Sequence, residues 1–278
     1  MNDRRPPFEA GVCLVRRKSK QTEECPMGNW DWQVFCKDTI DGTVVPSCYG
    51  TGGAYTYLNW MIDAWGWTVA VALVALFVAL VFGSIIGILR TLPDSPWLVR
   101  FGNAWVELFR NIPLLVQIFL WYFVVPALVP PMRDFPPFVL VVLALGLFTS
   151  ARIAEQLRSG IQALPRGQRY AGMAVGFTTV QYYRYVLLPM AYRIILPPLT
   201  SESMNIFKNS SVAFAVSIAE LTQFYLQAGE ETARNPEIYI AVVVLYVISA
   251  MVINRLMAFV EKRARVPGFV VAGGTGGH

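Results

Sequence analysis

The chain is poor in the groups from which most enzymes are built. Among 278 residues there is one histidine, His278, at the end of a glycine-rich tail, so no histidine metal site or histidine base can be assembled inside the fold. The four cysteines (Cys13, Cys25, Cys36, Cys48) all precede the first long apolar run and show no CxxC spacing, which argues against a metal site. The GxxxxGK[ST] pattern that cradles nucleotide phosphates is absent, the tail GGTGGH included, so the chain does not bind ATP itself and needs no bound cofactor. Charge is scarce as well: 15% of residues are charged against 55% hydrophobic. That balance excludes an ordinary soluble domain of this size and identifies an integral membrane protein. The net charge of +5 does not point to nucleic acid, because the Arg and Lys residues flank apolar runs, where orientation signals belong.

Residues 1–26 hold six Arg and Lys, and their longest apolar run, Ala10 to Val15, is too short for a signal-peptide core. Met27 opens a stretch of different character, so 1–26 is expected to be a non-native or disordered extension. Residues 27–66 are rich in Trp, Gly, Asp and Tyr and read as a segment lying at a membrane surface. Cys36 and Cys48 either close a loop there, if the tail lies in an oxidising compartment, or stay as two free thiols.

Five apolar segments follow, at 67–89, 112–130, 137–157, 193–218 and 238–259, each near the roughly 20 residues that cross the hydrocarbon core. The segments between them on one side carry Arg90, Arg100, Arg110, Arg158, Arg166, Arg169 and Arg184, and the tail after 259 adds Lys262, Arg263 and Arg265. The other side has Lys37, Arg133 and Arg234. This asymmetry predicts that the 158–192 loop and the tail from 260 are cytoplasmic and the N-terminal tail is outside.

Several residues stand out within that frame. Gly83 and Gly87 form a GxxxG, expected to pack against a neighbouring helix of the same chain. Gln117 is a lone amide in an apolar helix; it either lines a pathway or bonds a neighbouring helix. Glu155 and Arg158, three apart, form a favourable helical pair. The fourth apolar segment contains Glu202, Asn205, Lys208, Asn209, Ser210 and Ser211, and ionisable groups within a span mark either a pathway or a buried pair. Lys208 is six residues after Glu202, on a different helical face. The acidic run Glu220, Glu230, Glu231 and Glu237 reads either as a solvated face or as a contact for a basic partner.

The longest loop carries the most information. From Gly160 to Pro198, Pro165 and Gly167 break a helix, 168–175 can form a short one, Gly176 interrupts it, and 181–187 can resume before Pro189 stops it. Such a helix either serves as a lever or lies in the lipid headgroups.

LPRGQRYAGMAVGFTTVQYYRYVLLP resembles the signature loop of ATP-binding-cassette import permeases: Glu-Ala-Ala, three residues, Gly, nine residues, then Ile-x-Leu-Pro. Gly176, Val186, Leu188 and Pro189 fall in register. ELFRNIPLLVQIFLWYF, ARIAEQLRSGIQALPRGQ and LPPLTSESMNIFKNSS resemble the polar amino acid branch of that family. GNWDWQVF at 28–35 and VEKRARVPG at 260–268 are similar to its glutamate and aspartate permeases. One departure is visible: Tyr170, Ala171 and Gly172 stand where the pattern has Glu-Ala-Ala, which removes an acidic contact and leaves docking to shape and the nearby arginines.

The resemblance implies an all-α membrane protein of the type I importer permease fold, with five transmembrane helices. It implies a bacterial inner-membrane subunit that is not itself an enzyme. Expected partners are a second permease of similar fold, two copies of an ATP-binding subunit that holds ATP and Mg, a periplasmic amino-acid-binding protein, and membrane lipid. The ATPase-coupling loop is expected to use Gln168, Arg169, Tyr170, Ala171, Gly172, Gly176, Arg184 and Pro189. Lys208, Asn209, Ser211, Glu202 and Gln117 are expected to line the substrate pathway. Glutamate or aspartate is the expected substrate, with glutamine, arginine or histidine as alternatives. An ion-coupled secondary transporter is the rival class, against which the absence of an inverted repeat counts.

Overall fold

A computed structural model describes residues 30–50, 53–93 and 95–264. The expected extension over 1–26, the proposed start at Met27 and the tail beyond Ala264 lie outside the described residues. Everything described is helix or connection, with two isolated β-bridges, Lys37 to Val44 and Asp38 to Thr56.

Helix α1 (Tyr57–Leu89) begins ten residues before the expected span, because Thr56 caps it: its side-chain oxygen accepts from the backbone N–H of Asn59. Its 33 residues reach about 50 Å, longer than the roughly 30 Å hydrocarbon core. A stripe of small residues, Ala75, Ala79, Gly83 and Gly87, is buried along it. Helix α5 (Pro137–Gln162) packs on that stripe. A Cβ on Gly83 would lie 2.7 Å from Ile153, and one on Gly87 would lie 3.0 Å from Leu157. Without a hydrophobic drive between helices in lipid, close backbone approach of this kind holds the pair. The opposite face of α1 presents Leu73, Phe77 and Ile85 outward.

Helix α2 (Pro96–Asn111) occupies what the sequence suggests is a loop. It meets the next apolar segment at 105°. That segment is α3 (Leu114–Phe119), a π-helical turn over Leu120–Val124 and α4 (Val125–Leu128). Ile112 and Pro113 turn extended at the joint, and an extended residue before proline is what the ring's steric demand favours.

Helix α6 (Arg166–Ala174) is followed by α7 (Thr179–Tyr182), which runs through a π-turn (Tyr183–Leu187) into α8 (Leu188–Asn209). Pro189 therefore does not stop the helix. It follows the π-turn, in whose wider ring the N–H of Leu188 reaches the carbonyl of Tyr183, so the bond that proline cannot make falls where the ladder is already irregular. Helix α8 ends at Asn209, short of the expected 218, and continues as a 3-10 segment to Val216. Helix α9 (Leu221–Thr232) and α10 (Asn235–Ala264) complete the chain.

By length and composition, α1, α5 and α10 are each able to cross a membrane, and α2 with α3–α4 would make a fourth as one bent span. Helix α8 carries Arg193, Glu202 and Lys208 and is not in that group. Its core-facing residues Ala191, Ile195, Leu199 and Ile206 join α1 and α5 in the main apolar cluster.

Candidate functional site

The α6–α7 hairpin stands at the end of the bundle where Arg90, Arg169 and Tyr183 line a common cavity. Gly176 shapes it. Its φ is +87°, in the left-handed region open to glycine, and the N–H of Phe177 turns back to the carbonyl of Gly172 at 3.1 Å. This is the closing bond of a Schellman stop. Thr178 then caps α7 in a reciprocal box with Gln181. Gly172 is buried because a Cβ there would sit 3.1 Å from the ring of Tyr182.

One face of the hairpin is anchored and the other is open. Tyr182 and Leu187 join the main core. The hydroxyl of Tyr183 donates to the carbonyl of Thr91 at 2.7 Å, tying the π-turn to the end of α1. The open face presents Tyr170 (70% exposed), Met173, Val180 (75% exposed) and Tyr185. Ala171, Gly176, Arg184 and Pro189 are exposed as well, while Gln168 and Arg169 are half-buried. Arg184 lies over the Tyr185 ring at 5.7 Å. Helix α7, the π-turn and α8 form one continuous helical run, and α8 packs against α1 and α5.

The expected pathway residues separate in the structure. Glu202 is buried against α5, where its Oε1 accepts from Gln156 Nε2 at 3.2 Å and its Oε2 lies 3.6 Å from the Arg152 guanidinium. Arg152 in turn sits 5.1 Å over the Phe148 ring. Arg152 and Gln156 stand within the third apolar segment, and an arginine inside an apolar span is the sequence signal that marks this pair. Lys208 is exposed on another face of α8, Asn209 is half-buried, and the Ser211 hydroxyl donates to the Lys208 carbonyl at 2.8 Å.

Gln117 does not border an open path. It is buried, and its Nε2 donates to the carbonyls of Phe109 (2.7 Å) and Ile112 (3.0 Å). Those carbonyls belong to the end of α2 and the joint after it, where helical partners run out, so the geometry fits the helix-bonding alternative.

Two further expectations change. Glu155 takes Arg110, not Arg158, with both carboxylate oxygens within 2.8 Å of one guanidinium nitrogen. The bend between α2 and α3 delivers Arg110 to it, which sequence separation could not reveal. The acidic run after Ile218 is only partly solvated: Glu230 and Glu231 are exposed, but Glu220 and Glu237 are not. Glu220 is buried and caps α9 by accepting from the N–H groups of Thr222 and Gln223. Glu237 is buried, accepts from the Asp31 N–H and lies 3.8 Å from Arg234. Glu231 accepts from the Tyr57 hydroxyl. Glu220, Glu231 and Glu237 fasten α9 and α10 to each other, to α1 and to the loop before α1.

That loop is closed by a disulfide between Cys36 and Cys48. Asp38 organises it by accepting from the N–H groups of Ile40 (2.7 Å), Asp41 (3.3 Å) and Tyr55 (2.9 Å). The Ile40 N–H foremost holds the Asp38 carboxyl below its usual pKa, with burial opposing it. Among the described residues no group of His, Cys, Asp and Glu is arranged to hold a metal ion.

Comparison with known proteins agrees with this arrangement. Residues 79–266 match the family described as binding-protein-dependent transport system inner membrane component. The glutamate/aspartate import permease protein GltJ of Escherichia coli K12 is 40% identical over 253 residues, 86% of this chain and 97% of that protein. The probable glutamine permease GlnM of Bacillus subtilis is 32% identical over 73% of this chain and 92% of its own length. A crystal structure of an amino acid ABC transporter superposes with a TM-score of 0.65 at 29% identity, covering 74% of this chain and 95% of that one. In such importers ATP hydrolysis belongs to separate subunits. The chain belongs to the family of binding-protein-dependent transport system inner membrane components.

Proposed function

We propose that this permease imports acidic amino acids, glutamate and aspartate first, as one of two similar permease subunits driven by two cytoplasmic ATP-binding subunits that hold ATP and Mg. A periplasmic binding protein delivers the substrate at the disulfide-closed end. The chain crosses the bacterial inner membrane five times, with α8 as the fourth crossing and α10 as the last, its N-terminal segment outside and its C-terminus inside. The distribution of basic residues supports that orientation, and so does a disulfide at the opposite end, since such bonds persist in oxidising compartments.

The observation that carries the reading is the α6–α7 hairpin: its outer face offers Tyr170, Met173, Val180 and Tyr185 to a partner, while its inner face is continuous with α8. ATP-driven closure of the motors moves the hairpins, and α8 transmits the motion to the bundle. The substrate then meets the Arg152–Glu202 pair, where its side-chain carboxylate competes with Glu202 for Arg152 by charge-assisted hydrogen bonds. It meets Lys208, Asn209 and Ser211 at a separate point of its path, on another face near the end of α8. Glutamine-type selectivity is the second reading, favoured by the resemblance to GlnM.

The docking claim is tested by co-purification. Val180→Asp and Tyr170→Asp are expected to leave the chain in the membrane but to lose the ATPase subunits. Undiminished recovery of those subunits with both variants would remove the hairpin from the interface.

A further inference from the structure

Beside the hairpin, and separate from the residues assigned to coupling or transport, lies a cavity of about 400 Å³ whose lining includes Arg90, Asn103, Glu107, Arg110, Glu155 and Arg158. Three cations face two carboxylates, and Arg110 already neutralises Glu155. The excess positive charge is held in unusual surroundings. Arg90 is 9% exposed; its Nε donates to Asn103 at 2.9 Å, but its buried Nη1 has no partner among the described residues. The buried Nε of Arg158 has none either. Gly102 makes room for the stem of Arg90, since a Cβ there would stand 2.5 Å from Arg90 Cγ. A guanidinium donor buried without an acceptor is expensive, and burial, followed by repulsion from Arg158, pulls the pKa of Arg90 down. An anion in the cavity relieves both penalties.

The position of the cavity selects the anion. Helix α2 forms one wall and turns 105° from the apolar segment after it, so it runs along the membrane surface while that segment enters. Its outward residues Trp97 (79% exposed), Phe101 and Leu108 are apolar, whereas Asn103, Glu107 and Arg110 face the cavity. A helix of this kind lies in the interface with its apolar face among the acyl chains, and that sets the cavity at headgroup depth. Basic pockets at such a level fit phosphate-bearing headgroups, and guanidinium forks match phosphate oxygens.

We propose that the Arg90–Arg158 cavity binds the phosphodiester of an anionic inner-leaflet phospholipid. The full-length chain, purified in detergent with the subunits that accompany it, is titrated with phosphatidylglycerol and with phosphatidylcholine of the same acyl chains and read by native mass spectrometry. Phosphatidylglycerol is expected to be preferred. Arg158→Gln and Arg90→Gln are each expected to weaken its binding about fivefold, the share of one basic residue near a headgroup. Arg158→Lys should retain most of the binding, and Arg263→Gln, on α10, should change nothing. Arg158 is less enclosed than Arg90, so its variants carry the test if Arg90→Gln does not fold. Equal binding of the two lipids, or an unchanged preference in Arg158→Gln, would overturn the site. Excess inorganic phosphate, compared with chloride at equal ionic strength, should not displace the lipid; displacement would make free phosphate the ligand and overturn the lipid assignment.

Discussion

Gly176 ends α6 at a φ of +87° with open space where a Cβ would go, so any cost of substitution there is conformational rather than steric. An L-residue in that region loses about 1 kcal/mol relative to glycine, enough to re-aim a short exposed helix without unfolding a bundle. Gly176→Asp is expected to reach the membrane in normal amounts while uptake is lost and ATP hydrolysis runs uncoupled; normal uptake would count against the hairpin as a lever. Cys36→Ser, by opening the loop before α1, is expected to lower stability by about 3 kcal/mol, read as a fall in Tm that Cys48→Ser reproduces. The pH response of the same loop follows from Asp38. Its carboxyl pKa is depressed in the folded state, so its contribution is present above the ordinary value of 3.8 and is lost as pH falls through the folded value below that. Hydrogen exchange at Ile40 and Tyr55 should therefore stay slow at neutral pH and rise only in that acidic range, whereas Asp38→Asn should raise it at pH 7. These roles were partly legible in the sequence. Gly176 stood in register with a known loop pattern, and the cysteine pair was one of two open readings. The turn that holds Asp38 was announced by Asp41-Gly42, a turn dipeptide with Gly42 at a φ of +67°, but the bond from Tyr55, seventeen residues on, was not legible.

The elements divide by whether local pattern or tertiary contact decides them. Helices α1, α5 and α10 are long apolar runs and stand close to where the sequence puts them. Helix α2 reads as a loop because it is amphipathic and carries Arg100 and Arg110 among the basic residues that flank the spans, and its direction depends on the turn at Ile112 and Pro113. Helix α8 ended early and began early, since the π-turn lets it run through Pro189. The acids at the starts of α9 and α10 are drawn inward for a related reason: Glu220 and Glu237 look solvated in a polar run, but capping and ion pairing bury them. The tether from the π-turn to α1 is the contact most exposed to test. Tyr183→Phe removes the hydrogen bond to Thr91 and is expected to cost about 1 kcal/mol of stability. Its informative readout is the ratio of substrate transported to ATP hydrolysed, which should fall while expression is unchanged. A preserved ratio would confine Tyr183 to packing. At the α5–α8 contact, Arg152→Gln is expected to reduce uptake with a raised KM, and Arg152→Lys to restore part of it; equal loss in both would indicate a packing role instead.

Across the whole molecule, a basic end carries an open hairpin and the arginine-lined cavity, and the other end carries a disulfide-closed loop fastened to α1 and α10. Between them the exposed faces of α1 and α10 are largely apolar, as Leu73, Phe77, Val247 and Met251 show, and Glu202 of α8 is paired with Arg152 of α5. Composition and the hairpin motif made the membrane frame and the family legible. The polar contacts within it were not, because each joins residues far apart in sequence: Arg110 to Glu155, Arg152 to Glu202, Asp31 to Glu237. The central claim is that another subunit's ATP hydrolysis moves this chain's bundle and drives acidic amino acids inward. Proteoliposomes containing the assembled importer, with ATP inside the ATPase-facing compartment and binding protein on the opposite side, measure it directly through uptake of labelled glutamate. The account predicts uptake that requires ATP and the binding protein, stops with vanadate and is competed by aspartate. Uptake driven by an ion gradient with no ATPase present would contradict it.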